Sequence, residues 1–157
     1  MSDAVAAVRP LRADEYEAFV ERALDTYAGD MVAAGIDAQV ARAKAAQDLP
    51  ALLSNGLDTP GHFIYAIVDD GEPAGLLWLA DRDGELGRSL FVYAVEVDED
   101  RRGRGLARAA MEFAEAEARR LGIPKLALNV FGGNDAARSL YRSLGYRNTA
   151  VHMEKPV

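Results

Sequence analysis

Cysteine is absent from this 157-residue chain, which removes a disulfide framework, a thiolate metal site and a covalent mechanism through a cysteine nucleophile. Histidine is scarce. His62 and His152 stand far apart and in no metal-ligand spacing, so both are read as structural or surface residues and no metal is expected. Basic residues are outnumbered: 18 Lys and Arg stand against 25 Asp and Glu, a net charge of -7, the wrong sign for a general nucleic-acid or anionic-membrane binder. No apolar run approaches the ~20 residues that span a bilayer. The N-terminus lacks a basic stretch followed by an apolar one, which leads us to expect a cytoplasmic protein. Repeats and low-complexity linkers are missing too, and at ~100–200 residues per domain residues 1–157 read as a single domain.

What is present is an alternation of periods. A short strand is expected over residues 5–8. An amphipathic helix follows over residues 13–27, with Tyr16, Phe19, Val20, Ala23 and Tyr27 three and four apart and the acids Asp14, Glu15 and Glu17 in its first turn. A second, alanine-rich helix is expected over residues 37–53, stopped by Ser54-Asn55-Gly56. The period then changes to that of strands: a hairpin of residues 62–68 and 74–80 across Asp69-Asp70-Gly71-Glu72, a further turn at Arg82-Asp83-Gly84-Glu85, and an apolar central strand over 90–97. A helix over 104–121, a strand over 126–130, a helix over 135–144 and a last strand over 146–153 complete the order. The result is a mixed α/β sheet of about six strands, with the last one a plausible dimer edge.

The most informative stretch is Val95-Glu96-Val97-Asp98-Glu99-Asp100-Arg101-Arg102-Gly103-Arg104-Gly105-Leu106-Ala107-Arg108. A buried strand runs into a turn with two glycines, and a long helix starts directly after it. Such a turn exposes unpaired backbone N–H groups at a helix N-terminus and admits close approach by another molecule. Arg101, Arg102, Arg104 and Arg108 cluster where the helix dipole disfavours cations, which points to a phosphate or pyrophosphate cradle. The competing reading is that Asp98, Glu99 and Asp100 pair with these arginines at the surface. A P-loop is excluded because Leu106 and Ala107 follow Gly105 where Lys and Ser/Thr are needed. The dinucleotide fingerprint fails as well, since its third glycine position holds Arg108.

Arg102-x-x-Gly105-x-Ala107, in this strand-to-helix context, resembles the Arg/Gln-x-x-Gly-x-Gly/Ala signature of the GNAT superfamily of acetyl-CoA-dependent N-acetyltransferases. The run 126–131, Asn134, Ala136-Ala137, Leu140-Tyr141 and Leu144-Gly145-Tyr146 resemble the second half of that family. The resemblance implies a V-shaped, splayed sheet of about six to seven strands flanked by about four helices. It implies acetyl-CoA as cosubstrate, with the pyrophosphate on Arg102, Gly103, Arg104, Gly105, Leu106 and Ala107 and the pantetheine arm along Val95 and Val97. It also implies transfer of an acetyl group to a primary amine of a small molecule or a protein, by a monomer or homodimer. A coenzyme A-binding sensor or interaction module without turnover is the alternative, and a nucleic-acid module using the arginines a third reading.

Three catalytic tasks then need residues. Val97 N–H is the candidate oxyanion donor. Tyr141, seven residues after Asn134 and so close to two helical turns on, is the candidate acid for the leaving thiolate, or else a packed aromatic. Glu96, the only charge within residues 90–97, is the candidate base, or else a partner of one of the arginines. Strict alternation places it on the face of Leu90, Val92 and Ala94, and a bulge would reverse that. Asn134 either contacts the pantetheine or caps its own helix. Tyr16, Phe19, Tyr27 and Met31 are candidates for core or for lining the acceptor pocket. The acids Asp69, Asp70, Asp81 and Asp83 are expected to attract a cationic amine.

Overall fold

The computed structural model describes residues 7–157. Its centre is one sheet of five strands in the order β1-β2-β3-β4-β5: β1 is Ala7–Pro10, β2 His62–Asp69, β3 Glu72–Gly84, β4 Gly87–Val97 and β5 Leu126–Leu128. The first four are antiparallel neighbours, and β5 runs parallel to β4. Four helices flank the sheet: α1 is Tyr16–Ala33, α2 Ala38–Leu52, α3 Leu106–Leu121 and α4 Asp135–Ser143. Of the strand expected over 5–8, residues 5 and 6 lie outside the described residues.

Strand alternation explains why the central strands are apolar at nearly every position. On β3, Leu77 and Leu79 face α3, where Leu106, Ala110, Met111 and Ala114 cover them. Leu76 and Trp78 point the other way, onto Phe19 of α1 and Leu49 of α2. Both faces are therefore core, and burial of a side chain such as Leu77 or Leu90 contributes about 1.5–3 kcal/mol. The β2–β3 turn is a two-residue Asp70-Gly71 loop with both residues at positive φ, 50° and 79°, the geometry that suits the twist of a tight hairpin.

Three expectations need correction. The sheet has five strands among the described residues, not six or seven, because residues 146–153 join no strand. Val151 and Met153 are 68% and 85% exposed, so past Tyr146 these apolar residues find no core to pack against. The turn expected at residues 82–85 is shifted: β3 continues to Gly84 and β4 begins at Gly87. Arg88 holds Asp81 in a two-pronged pair at 2.9 and 2.7 Å, and the Arg82 guanidinium lies 4.3 Å over the Phe91 ring, so polar residues extend the hairpin past the core. Finally, α1 runs to Ala33 rather than ending near residue 27, which buries Met31.

The sheet opens at one place. β5 pairs with β4 only along Leu90, Phe91 and Val92, while β4 runs on to Val97. This is the splay of a V-shaped sheet.

Candidate active site

The far end of β4 leads directly into the glycine turn. Asp98 N–H donates to Ala74 O at 2.8 Å and closes the β3–β4 ladder, and a 3-10 turn spans Glu99–Arg101. Gly103 and Gly105 then take left-handed φ values of 78° and 79°. A Cβ at either would meet nothing within 4 Å, so these glycines serve backbone conformation beside open space rather than tight packing. Gly105 is the N-cap of α3 and no side chain caps the helix. The first N–H groups of α3 thus lack intrahelical and side-chain partners, at the edge of a cavity of about 200 Å³ bordered by Val97, Arg102, Gly103, Gly105, Ala107 and Leu140.

The strand beside this cavity has an open edge. Hydrogen-bonded pairs alternate along an antiparallel ladder, and with Asp98 bonded to Ala74, Glu96 and Ala94 pair towards Leu76 and Trp78. The N–H and C=O groups of Val95 and Val97 therefore turn away from β3, to the side where β5 has ended. Val97 O accepts from Arg102 Nε at 3.1 Å.

The arginines do not pair with Asp98, Glu99 and Asp100. Arg101 and Arg104 each reach Asp69 Oδ2 at 3.1 Å, and Arg108 donates to Ser143 Oγ on α4 at 2.5 Å. Asp69 is 3% exposed. It is an internal brace for the turn rather than a surface acid, and Asp81, tied to Arg88, is occupied as well. Both of these acids, expected to attract a cationic amine, are held by arginines. Asp69 was hidden from sequence reading because it looked like part of an acidic hairpin turn.

Glu96 lies on the opposite side of the sheet from α3. The β3–β4 register shifts between Trp78 and Leu79: Trp78 faces Ala94 and Leu79 faces Val92, leaving Tyr93 as the extra residue of a bulge. The bulge reverses the alternation, so Glu96 shares a face with Ala94 but not with Leu90 and Val92. Gly75 permits the local approach of β3, since a Cβ there would sit 2.1 Å from Glu96 O. The Glu96 carboxylate meets α1. Thr26 Oγ1 donates to Oε1 at 2.5 Å, and Arg22 Nε stands 2.9 Å from Oε2. That contact is one of charge only: no N–H is aimed along it, and Oε2 is buried without a hydrogen-bond donor. So Glu96 does pair with an arginine, but with one from α1 and not from the turn. Arg22, Thr26 and Asp30 escaped sequence reading, although their spacing of four on α1 marks a polar stripe.

Tyr141 sits on α4, half-buried against the α3-side core, its ring 5.6 Å from that of Tyr146. Burial pushes its phenol up from the ordinary value, so it stays protonated through the neutral range. Asn134 caps α4, its side chain accepting from Ala137 N–H at 3.2 Å. Phe19 and Met31 are core, and Tyr27 donates to Asp48 of α2 at 2.9 Å. His62 Nδ1 accepts from Trp78 Nε1 at 3.1 Å, and burial lowers its pKa, as befits a structural histidine. His152 is exposed. Among the described residues, no group of three or more His, Asp or Glu side chains is arranged to hold a metal ion, and no helix is long and apolar enough to cross a membrane.

Comparison with known proteins bears on this geometry. The acetyltransferase (GNAT) family model matches residues 17–146. The chain is 33% identical over 144 residues to the uncharacterized N-acetyltransferase YdgE of Bacillus subtilis, spanning 90% of this chain and 92% of that protein. It is 32% identical over 151 residues to the uncharacterized N-acetyltransferase YycN of the same organism, spanning 93% and 95%. The crystal structure of YycN matches with a TM-score of 0.89 at 30% identity, covering 98% of this chain and 99% of that one.

Proposed function

This chain belongs to the acetyltransferase (GNAT) family, and from that premise we propose that it transfers the acetyl group of acetyl-CoA to a primary amine by direct attack, without a covalent acyl-enzyme. The observation that carries the reading is the end of β4, where an uncapped helix N-terminus with two left-handed glycines and a carboxylate on the opposite face of the sheet meet at one splayed strand. We take residues 1–157 as one such domain, a reading supported by the near full-length correspondence with both relatives.

The residues fit the cosubstrate. A pyrophosphate is an anion, and the N–H groups of residues 103–107, with no Cβ in the way at Gly103 or Gly105, suit it. Arg102 and Arg104 add positive charge. With Val97 O taken by Arg102 Nε, the outward N–H and C=O of Val95 suit the amides of the pantetheine arm, which pair with a strand edge as another strand would. Bound acetyl-CoA supplies an activated acetyl thioester. The protein's part is then to accept a proton from the acceptor ammonium at Glu96, to place the Val97 N–H where the carbonyl oxygen gains charge, and to return a proton to the departing thiolate from Tyr141.

The test is release of free thiol from acetyl-CoA with purified protein and a panel of amines: polyamines, amino acids, aminoglycosides and N-terminal peptides. Turnover with at least one amine is the expected result. Tight binding of acetyl-CoA with turnover of none would make this a coenzyme A-binding module. With the fastest amine, Tyr141→Phe lowers turnover roughly a hundredfold while acetyl-CoA affinity stays nearly intact. Equal activity would remove Tyr141 from the mechanism.

A further inference from the structure

The polar stripe of α1 is not accounted for by the reaction as described. Thr26 and Arg22 come from a helix separated from β4 by about half the chain, yet both close on one carboxylate. Thr26 Oγ1 donates to Oε1 of Glu96 at 2.5 Å. The Arg22 guanidinium divides itself, with Nε 2.9 Å from Glu96 Oε2 and NH1 donating to Asp98 Oδ1 at 2.6 Å. Asp98 is the first residue past β4, where the turn into α3 begins. One side chain therefore touches both the carboxylate and the root of the glycine turn. The charge is also needed for the carboxylate to sit there: the Glu96 side chain is only 20% exposed, and burial of a lone carboxylate is costly without a cation beside it. Asp30, next along the stripe, feels the arrangement, since burial and the Glu96 charge push its carboxyl up.

A glutamate without contacts samples several rotamers, and a base in proton transfer must stand within hydrogen-bond reach of its partner. Fixing it lowers the ordering that each turnover would otherwise require. We infer that Thr26 and Arg22 are positioning residues of the acetyl transfer, holding the Glu96 carboxylate in one orientation at the end of β4, Thr26 through Oε1 and Arg22 through Oε2. This rests on the reading of Glu96 as the base.

The experiment is a double-mutant cycle with acetyl-CoA and the fastest amine of the panel above. Thr26→Val lowers kcat about tenfold and leaves KM for acetyl-CoA unchanged. Thr26→Ser, which restores the hydroxyl, returns kcat to within about twofold of the parent on the same grounds. In a Glu96→Gln background Thr26→Val costs nothing further, because the group it positions is gone. Melting curves confirm that each variant folds, and Thr26→Ala serves if Thr26→Val does not. An equal loss from Thr26→Val in both backgrounds, or no rescue by Thr26→Ser, would overturn the inference and leave Glu96 as base. A fully active Glu96→Gln protein would overturn the base assignment, and this inference with it.

Discussion

On one side of the end of β4, the turn through Gly103 and Gly105 into α3 takes its shape from a single run of sequence. On the other, Glu96 is held by α1 residues 70 or more positions away. The turn side is a backbone device: left-handed glycines, uncapped N–H groups and an open strand edge. The Glu96 side is a side-chain device, built from a bulge at Tyr93 and two polar residues of a helix packed across the sheet. A backbone device is damaged by adding atoms to it, whereas a side-chain device is damaged by taking one away, so substitutions should separate the two.

The largest effect is expected from Gly105→Trp. A bulky residue at φ 79° would occupy the open space before the first turn of α3 and strain its backbone. Acetyl-CoA at about a hundred times its Kd should stabilise the parent by about 2.7 kcal/mol, and the variant should show none of that shift in thermal melts. An unchanged shift would mean that the cosubstrate sits elsewhere. The Thr26 variants should keep the shift intact, since they touch only the other face.

A smaller loss is expected from Asp69→Asn. Arg101 and Arg104 would lose the buried carboxylate that braces the turn. Breaking a buried pair costs about 3–5 kcal/mol, but both arginines reach solvent, so about 2 kcal/mol is expected here. Denaturant titration reads the stability, and the acetyl-CoA shift should shrink in parallel. Stability unaffected by the change would show that the turn holds its shape by backbone alone, which would sharpen the contrast between the two sides.

This contrast also explains what sequence reading reached. The turn was legible because Arg102, Gly103, Gly105 and Ala107 lie within six residues and the two glycines set the shape of the turn through local backbone. The helices were legible from their period, and the splay follows from the few residues of β5. The face of Glu96 was not legible, because a bulge at Tyr93 leaves no mark in a run of apolar residues. Asp69 was read as a turn residue since three acids surround Gly71, yet Asp70 and Gly71 alone make the turn and Asp69 points inward. The stretch 146–153 was expected as a strand but joins none, and Val151 and Met153 lie exposed.

The smallest effect concerns how α1 is set in place to carry Thr26 and Arg22. Arg9 of β1 grips Glu15, just before α1, through two bonds of 2.7 and 3.0 Å, and Glu15 also accepts from Arg12 N–H at 2.9 Å. The Arg9 hydrogen bonds, partly opposed by burial, bring the Glu15 carboxyl down from its ordinary 4.5 to about 2. A depressed carboxylate stabilises the fold above its unfolded value, and that contribution is lost as pH falls from about 4.5 to about 2. Taken at face value the shift is worth about 3 kcal/mol, but screening at this partly open edge reduces it to about 1 kcal/mol. Arg9→Met should therefore be less stable than the parent by about that much at pH 7, with the difference closing as pH falls towards 2. A difference that did not depend on pH would assign the contact to packing, and α1 would then owe its seat to Phe19 against Trp78 rather than to charge.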